Sequence, residues 1–428
     1  MNTINSNNPL IHAFCSGFVA VLLCLTASSF AFAQSAQEKS EFDKQREAYS
    51  AQFRQDASNY AEQFRNDWQN YKRSIREKWG YAEVSTARKI VVYSPDKTMK
   101  VAIDFEHNQI KAGFVNQAKV TTEQLVAFIS AVLVRSANAP DTPEPQSDSS
   151  MTIAASIGLQ PADISPLAES LATTATSVST KEDAQQTADD IKEQADAIKR
   201  HAKQIEEPKE RRKEQEFAEQ LVKEEKQTAR VDPREKSSTI KKLSIDDDRL
   251  NRAMRYHEIV EELAKEYGLA EALIFAVMET ESSFNPSAMS PIPAFGLMQI
   301  VPTTAGLDVN QRILNTSKAP SKEELFDAKT NVIFGSAYIH LVMNRYFSKI
   351  TSAESQLYCA IAAYNTGPGN VARTFNQSQD MSLSKMAATV NTMDPEQVKA
   401  FLIENLPADE TRRYIQKVLN AQQFYSAQ

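Results

Sequence analysis

From Lys181 to Gln227 the chain reads KEDAQQTADDIKEQADAIKRHAKQIEEPKERRKEQEFAEQLVKEEKQ, a run too densely charged to bury a core of its own. Whatever folds around an apolar interior must therefore lie on either side of it. Helix formers dominate the run, which predicts solvated helix interrupted near Pro208, and residues 137–178 before it, rich in Pro, Ser, Thr and Ala, read as disorder. Residues 137–245 are thus expected to be a disordered and charged helical linker, with STIKKLSI, Ser238 to Ile245, as a candidate strand completing the domain before it. A length of 428 residues allows two or three domains on the usual scale of about 100–200 residues each. The formal charge of -7 gives no electrostatic reason to expect a nucleic-acid partner.

The first 33 residues hold no Asp, Glu, Lys or Arg, and the apolar run Phe14 to Leu25 is shorter than the ~20 residues a bilayer span takes. Ala31 and Ala33 flank Phe32, so residues 1–33 read as a signal peptide cleaved before Gln34 and the mature chain as exported to the periplasm. The start lacks the usual Lys or Arg, which keeps an uncleaved membrane anchor as the alternative. Leu23 precedes Cys24 where a lipid-bearing cysteine takes a small residue, which favours a soluble exported protein over one associated with the outer membrane. Cleavage leaves Cys359 as the single cysteine, in an apolar helical run where a thiol reads as a small core hydrophobe.

Large residues recur at Phe42, Tyr49, Phe53, Tyr60, Phe64, Tyr71 and Ile75 in alternating steps of seven and four. The eleven-residue repeat predicts one long helix over residues 34–80 with a single aromatic stripe, facing a partner helix, its own domain or, by self-association through residues 42–79, a second copy. Over residues 81–136 the period falls to two: Met99, Val101, Ile103 and Phe105 share a face, SPDK and EHNQ form turns, and a helix from Thr122 to Arg135 follows. This is expected to be a small α+β domain.

After Asp246 a period near 3.6 dominates, in the segments Met254–Tyr267, Leu269–Phe284, Val332–Tyr346, Leu357–Ala363 and Glu410–Phe424. Asp248 is placed to cap the first and Gly268 to end it. In the second, at about 100° per residue, Glu281 falls on the apolar face between Val277 and Met278 while Glu279 falls on the other. Burial there raises a carboxyl's pKa and lets it hold a proton near neutrality, as a general acid must. A buried glutamate neutralised by a basic partner explains the same pattern without function. Glu281 is followed, however, by ESSFNP, then FGLMQIVPTTAG, AAYNTGPGNV and TRRYIQKV, which bring Met298, Gln299, Tyr364, Asn365 and Tyr414.

This set, in this order, resembles the catalytic domain of the family 1 lytic transglycosylases, relatives of goose-type lysozyme, over residues 246–428, with NTMDPEQV and PADETRRY as its more specific segments. The resemblance implies a mainly α-helical, lysozyme-like catalytic domain, so the whole chain is expected to be α+β: a small α+β domain, a polar helical linker and that domain. It also implies roles. Glu281 matches the catalytic acid and base, Ser290 a hydroxyl bonding near it, Met298 and Gln299 the saccharide-contacting loop, Tyr364 and Asn365 the lining under the reacting sugar, and Tyr414 a tyrosine approaching the glutamate. Ile292 and Pro293 depart from the pattern, standing where relatives often have polar residues.

Ordinary glycosidases use two carboxyl groups about 5–9.5 Å apart. No second acid accompanies these motifs, and the resemblance implies that the substrate supplies the nucleophile: the 6-hydroxyl of N-acetylmuramic acid attacks its own anomeric carbon, leaving a 1,6-anhydro end. Intramolecular attack gains enough effective molarity to make an activated water unnecessary. The expected partner is the peptidoglycan glycan strand. A hydrolysing muramidase and a non-catalytic peptidoglycan-binding scaffold are the alternatives. His107, His201, His257 and His340 show no ligand spacing, so neither a metal nor another cofactor is expected.

Overall fold

The computed structural model describes residues 62–63, 65–135, 137, 151–204, 208–232, 238–245, 248–290 and 294–428. The expected signal peptide, most of the eleven-residue repeat, and Ile292 and Pro293 lie outside the described residues.

Among the described residues five antiparallel strands form one sheet in the order β1-β2-β3-β5-β4: β1 Lys89–Tyr93, β2 Met99–Asp104, β3 Gln109–Val115, β4 Thr176–Val178 and β5 Ser238–Ser244. The β1–β2 and β2–β3 turns fall at SPDK and EHNQ, where Lys97 and Asn108 take positive φ and the Asp104 carboxylate accepts the Glu106 and His107 N–H groups. The period-two reading of one face holds here. Val101, Ile103 and Phe105 point into a core with Ile90, Val92 and Ile110, under helix α1, Thr122–Leu133, which Thr121 and Gln124 cap reciprocally. STIKKLSI does complete the sheet, pairing β5 with β3 from Gln109↔Ser244 to Val115↔Ser238.

Residues 151–178 are not the disordered stretch their composition predicts. A short helix at Ile153–Ser156, helix α2 at Ile164–Thr173 and β4 fold onto the sheet, burying Ile153, Ala154, Ile157, Ile164, Ala168 and Leu171 beside α1. Few in number, these apolar residues sit at helical spacing on one face, and the Ser, Thr and Ala between them hide the pattern. Nor is the charged run without an interior. Helices α3, Thr180–Gln204, and α4, Pro208–Thr228, form an antiparallel hairpin whose seam buries Ile191, Ala195 and Ile198 against Phe217, Ala218 and Leu221. One thin stripe suffices for a two-helix seam, where a domain core does not arise.

The base of this hairpin covers the second face of the sheet, together with the helical turns at 65–79. Tyr71, Ile75 and Trp79 of the aromatic stripe pack there against Tyr81, Val91 and Tyr93, so this end of the stripe serves the chain's own domain. Between the strands and α3 lies a buried ionic cluster. Lys100 donates to Glu83 at 2.6 Å and to Asp183, Lys111 donates to Asp183 at 2.9 Å, Lys89 donates to Asp190 at 2.7 Å and Glu83 at 3.2 Å, and the Tyr81 hydroxyl donates to Asp183 at 2.6 Å. Burial alone would push Asp183 up, but Lys100 and Lys111 hold it well below the usual carboxylate range.

The carboxyl-terminal half is helical. After a short helix at Arg249–Met254, capped by Asp248, come α5 His257–Tyr267, α6 Glu271–Ser282, α7 Ala328–Leu341, α8 Ala353–Thr366, α9 Pro368–Asn376, α10 Leu383–Val390, α11 Pro395–Asn405 and α12 Asp409–Ser426. Gly268, at φ 65°, ends α5. Helix α6 runs through the middle: every residue from Leu273 to Met278 is buried, with α12 and α5 packed along it. Cys359 is buried in this core as a hydrophobe.

The ionic cluster yields a stability prediction. Removing one partner of a buried pair leaves the others uncompensated, at roughly 3–5 kcal/mol. Lys100→Met is expected to destabilise the sheet unit by about that much, read from its urea unfolding transition, whereas Lys242→Met, on a half-buried lysine outside the cluster, is expected to change it by less than about 1 kcal/mol.

Candidate active site

Helix α6 ends one residue after Glu281, although Pro286 is four residues further on. Ser283 at φ 52° and Phe284 at φ 66° turn the chain through two successive left-handed residues without a glycine. Surrounding contacts hold the turn: Ser282 Oγ lies 2.7 Å from the Leu297 carbonyl and 3.0 Å from that of Met278, and Phe284 stacks on Tyr256 with ring centroids 6.2 Å apart. Glu281 is left half-buried at the end of an otherwise enclosed helix. Glu279, one step round, faces away and pairs with Arg249 at 2.6 Å.

The loop at 294–300 is wrapped around a single side chain. Asn331 of α7 is fully buried; its Oδ1 accepts the Met298 N–H at 2.7 Å and its Nδ2 donates to the Phe295 and Leu325 carbonyls at 2.8 and 2.7 Å. Gly296, at φ 75°, is required here, because a Cβ would stand 2.3 Å from Asn331 Nδ2. Gln299 also has positive φ, 48°, and its side-chain amide donates back to the Gly296 carbonyl at 3.0 Å. The Met298 side chain is enclosed against Gly335 of α7, where a Cβ would meet its sulfur at 2.2 Å. Met298 thus anchors the loop from inside, its side chain enclosed and its N–H held by Asn331.

Three of the expected residues converge. The Tyr364 hydroxyl, near the end of α8, donates to the Met298 carbonyl at 2.8 Å, and its ring meets Tyr338 edge-on at 5.7 Å. Tyr414 of α12 is buried, its hydroxyl short of ordinary hydrogen-bond geometry with any partner among the described residues, yet close enough to Glu281 to pull the carboxyl's pKa down. Burial is the larger influence, and with the negative charge of Glu410 it pushes Glu281 up to about 7 against the opposing effects of Tyr414 and Arg88. Asn365 is exposed and turned to α12, accepting from the Thr411 hydroxyl at 2.7 Å. Ser290 is half-buried, its backbone N–H on the Ala294 carbonyl at 3.1 Å.

The arrangement is a carboxyl whose pKa is raised to about 7, flanked by Tyr414 and Tyr364, with the next residue, Ser282, bonded to the glycine-turned loop. Residues 258–387 match the Transglycosylase SLT domain. The SLT match spans Glu281, the loop at 294–300, Asn331, Tyr364 and Asn365, whereas Tyr414 lies beyond it. Among curated relatives, a membrane-bound lytic murein transglycosylase C of Mannheimia succiniciproducens is 41% identical over 174 residues, 41% of this chain and 47% of that protein. One of the same name from Yersinia pestis is 42% identical over an equal span. The chain thus spans about half the length of the curated relatives it matches. An inactive mutant of lytic transglycosylase Slt from Pseudomonas aeruginosa has 28% identity over 42% of this chain and 26% of its own, with a TM-score of 0.31. As a whole the molecule is α+β, a small antiparallel sheet joined to a mostly helical part that contains the SLT match.

Sequence reasoning missed Asn331, Glu410 and Arg88. An asparagine inside the apolar run NVIFGSAY was a visible signal for the first, since a buried amide needs a full set of partners. Glu410 lies four residues before Tyr414, one helical turn away. Nothing local marks Arg88, 193 residues before Glu281.

A raised carboxyl pKa has a sign for stability. Below about pH 4.5 Glu281 is protonated both folded and unfolded and adds nothing; above about 7 it is ionised in both, and the folded state bears the full penalty of burial. Glu281→Gln is therefore expected to stabilise the protein by up to about 3 kcal/mol at pH 8 and hardly at all at pH 4, measured by chemical unfolding at the two pH values.

Proposed function

We propose that residues 246–428 are a peptidoglycan lytic transglycosylase domain that cleaves the β-1,4 bond between N-acetylmuramic acid and N-acetylglucosamine. The observation that carries the reading is Glu281, a half-buried carboxyl whose pKa stands at about 7, beside Tyr414 and Tyr364 in a part of the chain matching the SLT domain. Glu281 gives its proton to the glycosidic oxygen as the bond to the anomeric carbon breaks. The resulting carboxylate then takes the proton of the 6-hydroxyl of the same muramic residue as that oxygen bonds to the anomeric carbon. No water is consumed, the glutamate is regenerated protonated, and the product is a 1,6-anhydro end. A pKa near neutrality suits both halves of this cycle, since the group must be a usable acid first and a usable base second.

Within this reading the loop at 294–300 supplies backbone groups and Gln299 to the sugars, Ser290 bonds near Glu281, and Tyr364 and Asn365 line the floor. The names of the relatives support a cell-envelope setting, and with the Ala31-Phe32-Ala33 motif read as an export signal the activity would act on the periplasmic side, where the glycan lies. Membrane association would add to this reading, and so would a second copy bound through residues 42–79; the chemistry needs neither.

Glu410 favours a second reading. Its charge reaches Glu281 from the first turn of α12, and a second carboxylate is what a hydrolysing muramidase uses to activate water. Mass spectrometry of digested sacculi decides between them: we expect anhydro ends, and reducing, hydrated ends would establish hydrolysis instead. Glu281→Gln keeps the shape and removes the proton shuttle, so release of soluble muropeptides is expected to fall by roughly 10²–10⁴-fold, the usual worth of general acid–base catalysis.

A further inference from the structure

The end of α6 and the segment leading into β1 grip one another. Asn285, fully buried, donates its side-chain amide to the Thr86 carbonyl at 3.4 Å and the Ala87 carbonyl at 3.1 Å. The next residue, Arg88, donates Nη2 to the Thr280 carbonyl at 3.2 Å and Nη1 to Glu106 at 3.1 Å. Its backbone is fixed by the sheet, the Arg88 carbonyl accepting from the Phe105 N–H at 3.0 Å and its N–H donating to Thr86 Oγ1 at 3.3 Å. The Thr280 carbonyl belongs to the last turn of α6, where carbonyls have no helical donor left, and it immediately precedes Glu281.

We propose that Arg88 is a positioning residue for Glu281 supplied by the sheet unit: its guanidinium caps the carboxyl end of α6 and sets a fixed positive charge beside the reacting carboxyl. A cation at that end is also favoured by the helix dipole. The side chain is not lost in a sealed ion pair. Arg88 keeps 25% of its side-chain surface exposed and its partner Glu106 keeps 48%, so this ion pair is weak and solvent-screened, and the guanidinium is shared with the Thr280 carbonyl.

The charged and titratable groups that bear on Glu281 are Tyr414 and Glu410 from α12, Tyr364 from α8 and Arg88 from the sheet unit; Arg249 is engaged by Glu279 on the far side of α6. Arg88 opposes Glu410 among these. Without it, Glu281 would be a weaker acid held in a looser last turn. The catalytic half and the sheet unit are then one working device: the strand unit reaches the reaction through Arg88, and further ties from Arg255 to the Ser156 carbonyl at 2.8 Å and from Arg252 to Asn108 hold the two parts in register.

Only the activity arm of the test rests on the lytic transglycosylase reading. In the full chain, the Glu281 carboxyl is followed by ¹³C NMR, assigned by its absence in Glu281→Gln. We expect Arg88→Ala to raise its titration midpoint by roughly half a pH unit, less than the one to three units of a directly paired guanidinium, and Arg88→Lys to restore most of the difference. On a defined glycan strand, kcat of Arg88→Ala is expected to fall about tenfold with KM changed less than about twofold, and the alkaline limb of its pH profile to move upward with the midpoint. Should Arg88→Ala fail to fold, Arg88→Gln, which keeps a donor for Thr280 and loses the charge, is expected to show the same midpoint shift. An unmoved midpoint in the neutral variant, or an equal loss at every pH that Arg88→Lys does not relieve, overturns the proposal. Absence of anhydro ends with the unsubstituted protein overturns the enzymatic reading instead, and the NMR midpoint still decides the role of Arg88.

Discussion

An ionisable group at the end of a helix packed on nearly every side is the constraint around which the carboxyl-terminal half is built. Six consecutive residues of α6, from Leu273 to Met278, are buried, so the helix has no freedom to roll and Glu281 has one direction in which to point. The left-handed pair Ser283 and Phe284 stops the helix where the carboxyl emerges, and Tyr256, Tyr425 and Ser282 hold that costly turn in place. The opposing loop is equally fixed, since the three hydrogen bonds of Asn331 and the tight seat of Met298 on Gly335 leave it one conformation. Rigid elements on both sides are what proton transfer to a particular oxygen requires.

The two buried electrostatic systems of this molecule work in opposite senses. Around Lys100 each charge meets opposite charges at hydrogen-bond distance, and the carboxylates of Asp183 and Glu83 are held ionised despite burial. Around Glu281 compensation is deliberately incomplete. A tyrosine hydroxyl and the Arg88 guanidinium do not offset the loss of water, and the carboxyl's pKa stays up at about 7. Structural ionic clusters and reactive carboxyls thus differ in how far partners make up for desolvation, not in burial itself.

How much of this was legible beforehand follows from the range of the interactions. The helical half, the placement of Glu281 and the turn residues of the β-hairpins depend on spacing within a dozen residues, and spacing is written in the sequence. STIKKLSI could be read as a strand for the same reason. Nothing local marks Lys89, Lys100 and Lys111 as buried, because their partners Asp183 and Asp190 lie more than 70 residues away, inside the charged run. Residues 151–178 were hidden by composition: Ile153, Ile164 and Leu171 are too sparse to announce a core and become one only beneath α1. The chain positions of Tyr414 and Tyr364 needed the resemblance to be picked out, and Arg88 needed the fold.

The α3–α4 hairpin leaves the sheet at Val178 and returns beside it, with Val178 paired to Ile240 and Thr180 bonded to Ser238. Its two ends therefore meet at one point on the sheet, and the sheet is complete whatever the distance travelled between them. Its outer turns form a handle on the strand unit, joined at a closed base. Turns added to or removed from its far end in matched pairs would leave the α6–β1 grip and Glu281 where they are, so the reach of the hairpin can be tuned separately from the geometry around that carboxyl.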